Sequence, residues 1–148
     1  MGNGPDVLVY NNEHNSTLET FLLMTLMHKH LIVRAEVNKP PRDPNWAHSW
    51  LVDLVDKIGM KICQGPITTY VDKPGNRGLT AVVVIETSHI ALHCWDEENP
   101  GLLQLDVYTC GPLDEKIIFE EVKDFDPVTI EYKYLAVSYT HLTLPTKA

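Results

Sequence analysis

Residues 81–85, Ala-Val-Val-Val-Ile, form an unbroken apolar run rich in β-branched side chains and far too short to span a bilayer. Such a run reads as a buried strand. The residues that follow alternate. Successive side chains of a strand point to opposite faces, so His89, Ala91, His93 and Trp95 share one face, while Ile90, Leu92 and Cys94 share the other. The segment around 105–110 repeats the pattern, with Asp106, Tyr108 and Cys110 on one side and Leu105, Val107 and Thr109 on the opposite one. Two neighbouring strands thus offer an apolar face to a core and a second face carrying two imidazoles, an indole, a carboxylate and a thiol. Chemistry is expected on that second face.

The rest of the chain supplies the layer that covers the apolar face. Residues 30–37 alternate as a first strand. Asp43 followed by Pro44 is an N-cap and first-turn signal. Ala47, Trp50, Leu51, Leu54, Val55 and Ile58 then recur at helical spacing, and Gly59 provides the stop. A second strand is expected over 60–70, interrupted at Gly65-Pro66, with a loop at 72–78. Strands follow at 79–87 and 88–95, with a reversal near Thr87-Ser88, and at 102–110 after a loop. Gly111-Pro112 is expected to open a second helix, with Leu113, Ile118, Val122 and Phe125 on one face and Asp126-Pro127 at its end. Residues 128–135 alternate as the last strand.

This order predicts an α+β, two-layer sandwich, in shorthand β-α-β-β-β-α-β, with a mostly antiparallel sheet and helices on one face. The opposite face is left open, and a second copy of the chain is its expected cover. Residues 1–23 show no period and read as a disordered leader or non-native start, Met24 or Met27 being alternative starts. Asn15-Ser16-Thr17 is a sequon with no expected use. The domain proper is expected over 24–135, and 136–148 as an artefactual tail.

One domain fits 148 residues. The net charge of −8 argues against nucleic acid or an anionic membrane, which call for a basic surface. Cys63, Cys94 and Cys110 are widely spaced with no CxxC, which suits free thiols in the cytoplasm. His89 and His93 stand roughly 13 Å apart by strand rise, too far to share a metal ion. A zinc site from His93, Asp106 and Cys110 has no supporting ligand spacing, and no metal is expected. Singly, a buried His, Cys or Trp is most often structural; their coincidence on one face favours catalysis.

Ser88-His89-Ile90-Ala91-Leu92-His93-Cys94-Trp95, with Leu105-Asp106-Val107-Tyr108-Thr109-Cys110-Gly111, resembles the central motif of the bacterial-type S-adenosylmethionine decarboxylases, pyruvoyl enzymes of polyamine synthesis. The resemblance runs from about Lys29 to Leu135 and includes His30-Leu31 and Glu97. It implies a self-processing proenzyme. Ser88 Oγ attacks the carbonyl of Thr87, the amide becomes an ester, and elimination leaves a pyruvoyl group at residue 88, giving chains 1–87 and 88–148. That ketone condenses with the substrate amine as a Schiff base and accepts the electrons released with carbon dioxide. By the same resemblance, His93 assists proton removal during processing and Thr80 stands where the family has a processing serine. Cys110 reprotonates the product carbon. Trp95 stacks on adenine, Glu97 takes the ribose hydroxyls, and His89 and Asp106 complete the substrate site. Tyr70 is the candidate for a second stacking aromatic. A homodimer and a polyamine effector are also implied.

The chain departs from the family pattern at two steps. Thr87 replaces the glutamate before the processed serine, with Glu86 one place earlier, and Trp-Pro-Glu becomes Trp95-Asp96-Glu97. The loop before Asp106 is also longer than the family's usual form. These differences leave open a basic amino acid, ornithine or arginine, as substrate, and an unprocessed binding or regulatory homologue as the non-enzymatic alternative.

Overall fold

The computed structural model describes residues 28–137. The leader, the alternative starts, the sequon and the tail from residue 138 onward lie outside the described residues. Six strands and two helices follow in the order β1 (His28–Val37), α1 (Pro44–Lys57), β2 (Ile62–Val71), β3 (Gly78–Ile85), β4 (Ser88–Trp95), β5 (Gly101–Thr109), α2 (Glu115–Val122) and β6 (Pro127–Val137). A single 3-10 turn, Lys123–Phe125, extends α2. The two arms of the β3–β4 hairpin each count as a strand, so the order is β-α-β-β-β-β-α-β, one strand more than the expected shorthand.

All six strands join one sheet in the order β2-β3-β4-β5-β1-β6, every neighbouring pair antiparallel. Three successive hairpins build β2 to β5. β1 then inserts between β5 and β6, so each helix lies in a crossover between two strands that run parallel. Burial alternates as the sequence predicts: Leu31, Val33 and Ala35 of β1, Ile90 and Leu92 of β4, and Leu103, Leu105 and Val107 of β5 are fully buried. They meet Ala47, Leu51 and Leu54 of α1 and Ile118 and Val122 of α2. Each such Leu or Ile taken out of water contributes about 1.5–3 kcal/mol, which fixes the register, since a one-residue slip would turn the whole set outward.

The helix ends follow local chemistry. Asp43 accepts from the Asn45 amide at 2.9 Å, Pro44 opens the first turn of α1, and Gly59 at φ 71° ends it. For α2 the expectation is corrected. The helix begins at Glu115 rather than at Gly111-Pro112, because Asp114 caps it by accepting from the Lys116 amide at 3.0 Å. Residues 111–113 instead close the end of β5, where the Gly111 amide donates to Thr109 Oγ1 at 2.9 Å and its carbonyl accepts from Lys29 Nζ at 3.4 Å. The expected interruption of β2 is present as a shift in the β2–β3 register around Gly65, which sits at φ 89°. β6 runs two residues beyond 135, with Ala136 opposite Lys29 and Val137 opposite His28. Among the described residues no helix is long and apolar enough to cross a membrane.

Candidate active site

Cross-strand register turns the open face of the sheet into a grid. Val84, His89, Tyr108, His30 and Leu135 lie abreast across β3, β4, β5, β1 and β6. The next row is Val82, Ala91, Asp106, Ile32 and Lys133, and the one after it Thr80, His93, Gln104, Arg34 and Glu131. Antiparallel partners directly opposite each other project on the same side, so the two strand faces read from the sequence are both observed.

At one end of the sheet lies the β3–β4 turn, just before the open-face row that begins with His89. Ser88 begins β4, abreast of Ile85 on one side and Thr109 on the other. It is half-buried and held at φ 146°, a region that L-residues rarely enter. The carbonyl oxygen of Thr87 accepts a hydrogen bond from the Cys110 amide at 3.0 Å. Thr87 is fixed from two further directions: its hydroxyl donates to Met60 Sδ at 3.2 Å, and Gly111 packs so closely that a Cβ there would stand 3.2 Å from Thr87 Cγ2. Strain at the residue after a peptide bond, and a donor aimed at the carbonyl of that bond, are what an acyl shift requires.

Beside this turn lie His89, Asp106 and Tyr108. Asp106 Oδ1 is 2.8 Å from His30 Nε2 and 3.9 Å from His89 Nε2. The Tyr108 ring stacks on both His28 and His89, with centroids 5.5 and 5.6 Å away, and meets His30 edge-on at 5.1 Å.

The other end of β4 carries the second group. Thr80 Oγ1 and His93 Nδ1 are 3.2 Å apart, and the His93 ring lies 6.2 Å from that of Trp95. Trp95 Nε1 donates to Asn76 Oδ1 at 3.1 Å. A hollow of about 240 Å³ is lined by Asn76, Thr80, His93 and Trp95. A larger one of about 470 Å³ is lined by Trp95 together with Arg34, Glu36, Glu97, Glu98 and Leu102. Glu97 accepts from the Gly75 amide at 2.8 Å and the Arg77 amide at 3.3 Å, so both of its oxygens hold the loop between β2 and β3.

The expected residues therefore fall into two sets. Thr87, Ser88, Cys110, His89 and Asp106 gather at one end; Thr80, His93, Trp95 and Glu97 gather at the other. Ser88 and His93 are five residues apart on one strand, roughly 16 Å by strand rise. Within a single chain the structure does not bring them together. Tyr70 is opposite Leu79, a core residue, and so projects on the helix side of the sheet, away from Trp95.

Tyr70 has a different partner that the sequence does not reveal. Asp96, whose side chain is fully buried, accepts from Tyr70 Oη at 2.8 Å and from Arg42 Nε at 2.7 Å, while its Oδ1 has no partner among the described residues. Burial, followed by the hydrogen bond to Asp96, raises the Tyr70 pKa above its ordinary value. An aspartate in a loop rich in Glu, Asn and Pro carries no mark of burial, and Arg42 and Tyr70 are distant in the chain. Of the thiols, Cys63 is exposed, Cys110 is half-buried and Cys94 is in the core, where desolvation and then the Asp96 charge push its pKa up to about 12.

The comparisons with known proteins converge. The family model described as S-adenosylmethionine decarboxylase matches residues 29–136. The S-adenosylmethionine decarboxylase proenzyme of Pyrococcus furiosus is 39% identical over 111 residues, 74% of this chain and 73% of that protein. The proenzyme of Pyrobaculum arsenaticum is 43% identical over 61 residues, 40% of this chain and 47% of that one. The crystal structure of the adenosylmethionine decarboxylase from Aquifex aeolicus has the same fold, with a TM-score of 0.60 at 22% identity over 82% of this chain and 98% of that one.

Fold and sequence together define a self-processing lyase of the kind that makes a pyruvoyl group from one of its own serines. The chain belongs to the S-adenosylmethionine decarboxylase family, whose proenzymes act in polyamine synthesis.

Proposed function

We propose that the self-cleavage occurs between Thr87 and Ser88, giving chains 1–87 and 88–148. The observation that carries this reading is the hydrogen bond from the Cys110 amide to the Thr87 carbonyl, made beside a serine held at φ 146°. Ser88 Oγ adds to the Thr87 carbonyl carbon, and the charge that develops on oxygen is met by the Cys110 N–H. Collapse breaks the C–N bond and forms an ester, an isomerisation with no loss of atoms. Removal of the Ser88 Cα proton then expels the Thr87 carboxylate, and water replaces the resulting imine nitrogen, releasing ammonia. Thr87 serves at the acyl position because what the attack needs from that residue is its polarised carbonyl.

The base for the Cα proton is His93, with Thr80 fixing its ring. Because these two lie roughly 16 Å along the strand from Ser88 in their own chain, the His93 that serves a given Ser88 belongs to a second copy docked on the open face. The half-exposed apolar side chains Ile32 and Val84 on that face support a homodimer of this kind.

Formed at residue 88, a pyruvoyl group would supply the electrophilic carbonyl and electron sink that decarboxylation of an amino-acid substrate needs. Cys110, one residue beyond Thr109, the cross-strand partner of Ser88, delivers its thiol proton to the product carbon. Trp95, which lines two hollows, offers its indole to adenine, and Glu97 holds the 72–77 loop that carries Asn76 to the indole nitrogen. Release of carbon dioxide from carboxyl-labelled S-adenosylmethionine, with Ser88→Ala as the blank, tests this assignment. Release from ornithine or arginine instead would contradict it.

A further inference from the structure

Before cleavage, β4 enters the sheet through a two-residue turn from β3, and residue 88 is tethered on both sides. A cut at Thr87–Ser88 removes one tether and makes residue 88 a chain terminus, which frays unless something pins it. The first side chain able to pin it is that of His89. Its ring is stacked on Tyr108 with a 5.6 Å centroid distance and a 24° interplanar angle, and its Nε2 stands 3.9 Å from Asp106 Oδ1. Both partners are themselves held from β1. His28 stacks on Tyr108 at 8°, His30 meets it edge-on at 84°, and His30 Nε2 bonds Asp106 Oδ1 at 2.8 Å.

We propose that Tyr108 and the His30–Asp106 pair form a clamp that keeps the cleaved end of β4 in register with β5, so that the group generated at residue 88 stays beside Cys110. The inference rests on the Thr87–Ser88 cut. His30 and Tyr108 are positioning residues, acting through His89. Their effect is specific to one step. The intact turn already fixes residue 88 during processing, so the clamp matters only once the turn is open. Its loss spares self-cleavage and slows decarboxylation, whereas a residue of merely structural importance would affect both along with stability.

The test compares Tyr108→Leu, Tyr108→Phe, His30→Ala and His30→Gln in the full chain, reading cleavage by denaturing mass spectrometry, kcat per cleaved chain, KM and the thermal midpoint. Tyr108→Leu and His30→Ala are expected to cut at a rate close to wild type. Their kcat per cleaved chain falls on the order of 10-fold or more, since displacements near 1 Å can cost 100-fold. Tyr108→Phe keeps the ring and retains activity, and His30→Gln, whose amide reaches the same carboxylate, recovers most of it. Should Tyr108→Leu lose its cooperative melting transition, the half-buried His30 carries the same comparison. Unchanged kcat per cleaved chain, or cleavage falling as far as kcat, would overturn the clamp alone. A wild-type chain that stays whole, or breaks elsewhere, would overturn the cleavage site and the clamp with it.

Discussion

The amide of Cys110 donates to the carbonyl oxygen of Thr87 across 3.0 Å, joining the residue after β5 to the turn between β3 and β4. The contact uses backbone on both sides, so it is independent of which side chain stands at 87 or 110. Under the proposed cut before Ser88, it accounts for a threonine at the acyl position, and that proposal gives Cys110 two separable roles: an amide for processing and a thiol for turnover.

That separation is open to mutation. Cys110→Ala keeps the amide donor and is expected to cleave normally, while decarboxylation per cleaved chain falls by about 10²-fold or more, the usual contribution of a positioned general acid. Mass spectrometry for the cut and carbon dioxide release for turnover read the two effects. Unchanged turnover would remove the thiol from the reaction.

Strain at Ser88 predicts a stability difference between two inactive variants. Ser88→Ala and Ser88→Gly both stay uncut, yet only glycine enters φ 146° without penalty. Offsetting its greater chain entropy against relief of 1–3 kcal/mol of strain, Ser88→Gly should exceed Ser88→Ala by ~1–2 kcal/mol in urea unfolding. Equal stabilities would mean that the backbone at residue 88 is relaxed.

The distance between Ser88 and His93 along β4 predicts complementation between chains. Ser88→Ala alone and His93→Ala alone remain uncut. When the two are co-expressed, the His93→Ala chain should be cut, because its Ser88 faces the His93 of the Ser88→Ala copy. Mass spectrometry identifies which chain breaks, and an uncut mixture would place the base elsewhere.

Tyr70 packs against the core and donates to Asp96. Tyr70→Phe leaves the buried Asp96 carboxylate on Arg42 alone and should lower stability by about 1–3 kcal/mol in chemical denaturation. KM for S-adenosylmethionine should not move. A raised KM with unchanged stability would instead support stacking on the substrate.

Cys94 predicts a loss of stability in alkali. Its thiol pKa rises from 9.0 to about 12 in the native chain. Between those values the unfolded thiol ionises while the native one keeps its proton, so the native state binds more protons and stability falls as pH rises. The slope approaches 1.4 kcal/mol per pH unit. Below pH 9 this contribution is fully present. Unfolding measured from pH 8 to 10 should be steeper for wild type than for Cys94→Val; parallel curves would contradict the assignment.

Much of this architecture was legible because β4 and β5 alternate cleanly between buried and open faces. Ile90, Leu92 and Cys94 had to face one way once His89, His93 and Trp95 faced the other, and Asp43-Pro44 marked a helix start that tertiary packing did not override. The second helix was misread at its start because Gly-Pro is a competent opening signal, and the side chain of Asp114 three residues on competed successfully for the cap. Alternation assigns a face but not a meeting. The strand rise that keeps His89 from His93 also keeps Ser88 from His93, and only the sheet register shows that Cys110, far along the chain, is the true neighbour of the turn. The buried Asp96 was invisible for a related reason, since its partners arrive from α1's leading loop and from β2.

The most direct test of the central claim is the intact mass of the purified chain under denaturing conditions. The account predicts two polypeptides that together make up residues 1–148, one ending at Thr87 and the other beginning with a borohydride-reducible ketone in place of Ser88. A single uncut chain, or a break at any other bond, would contradict it.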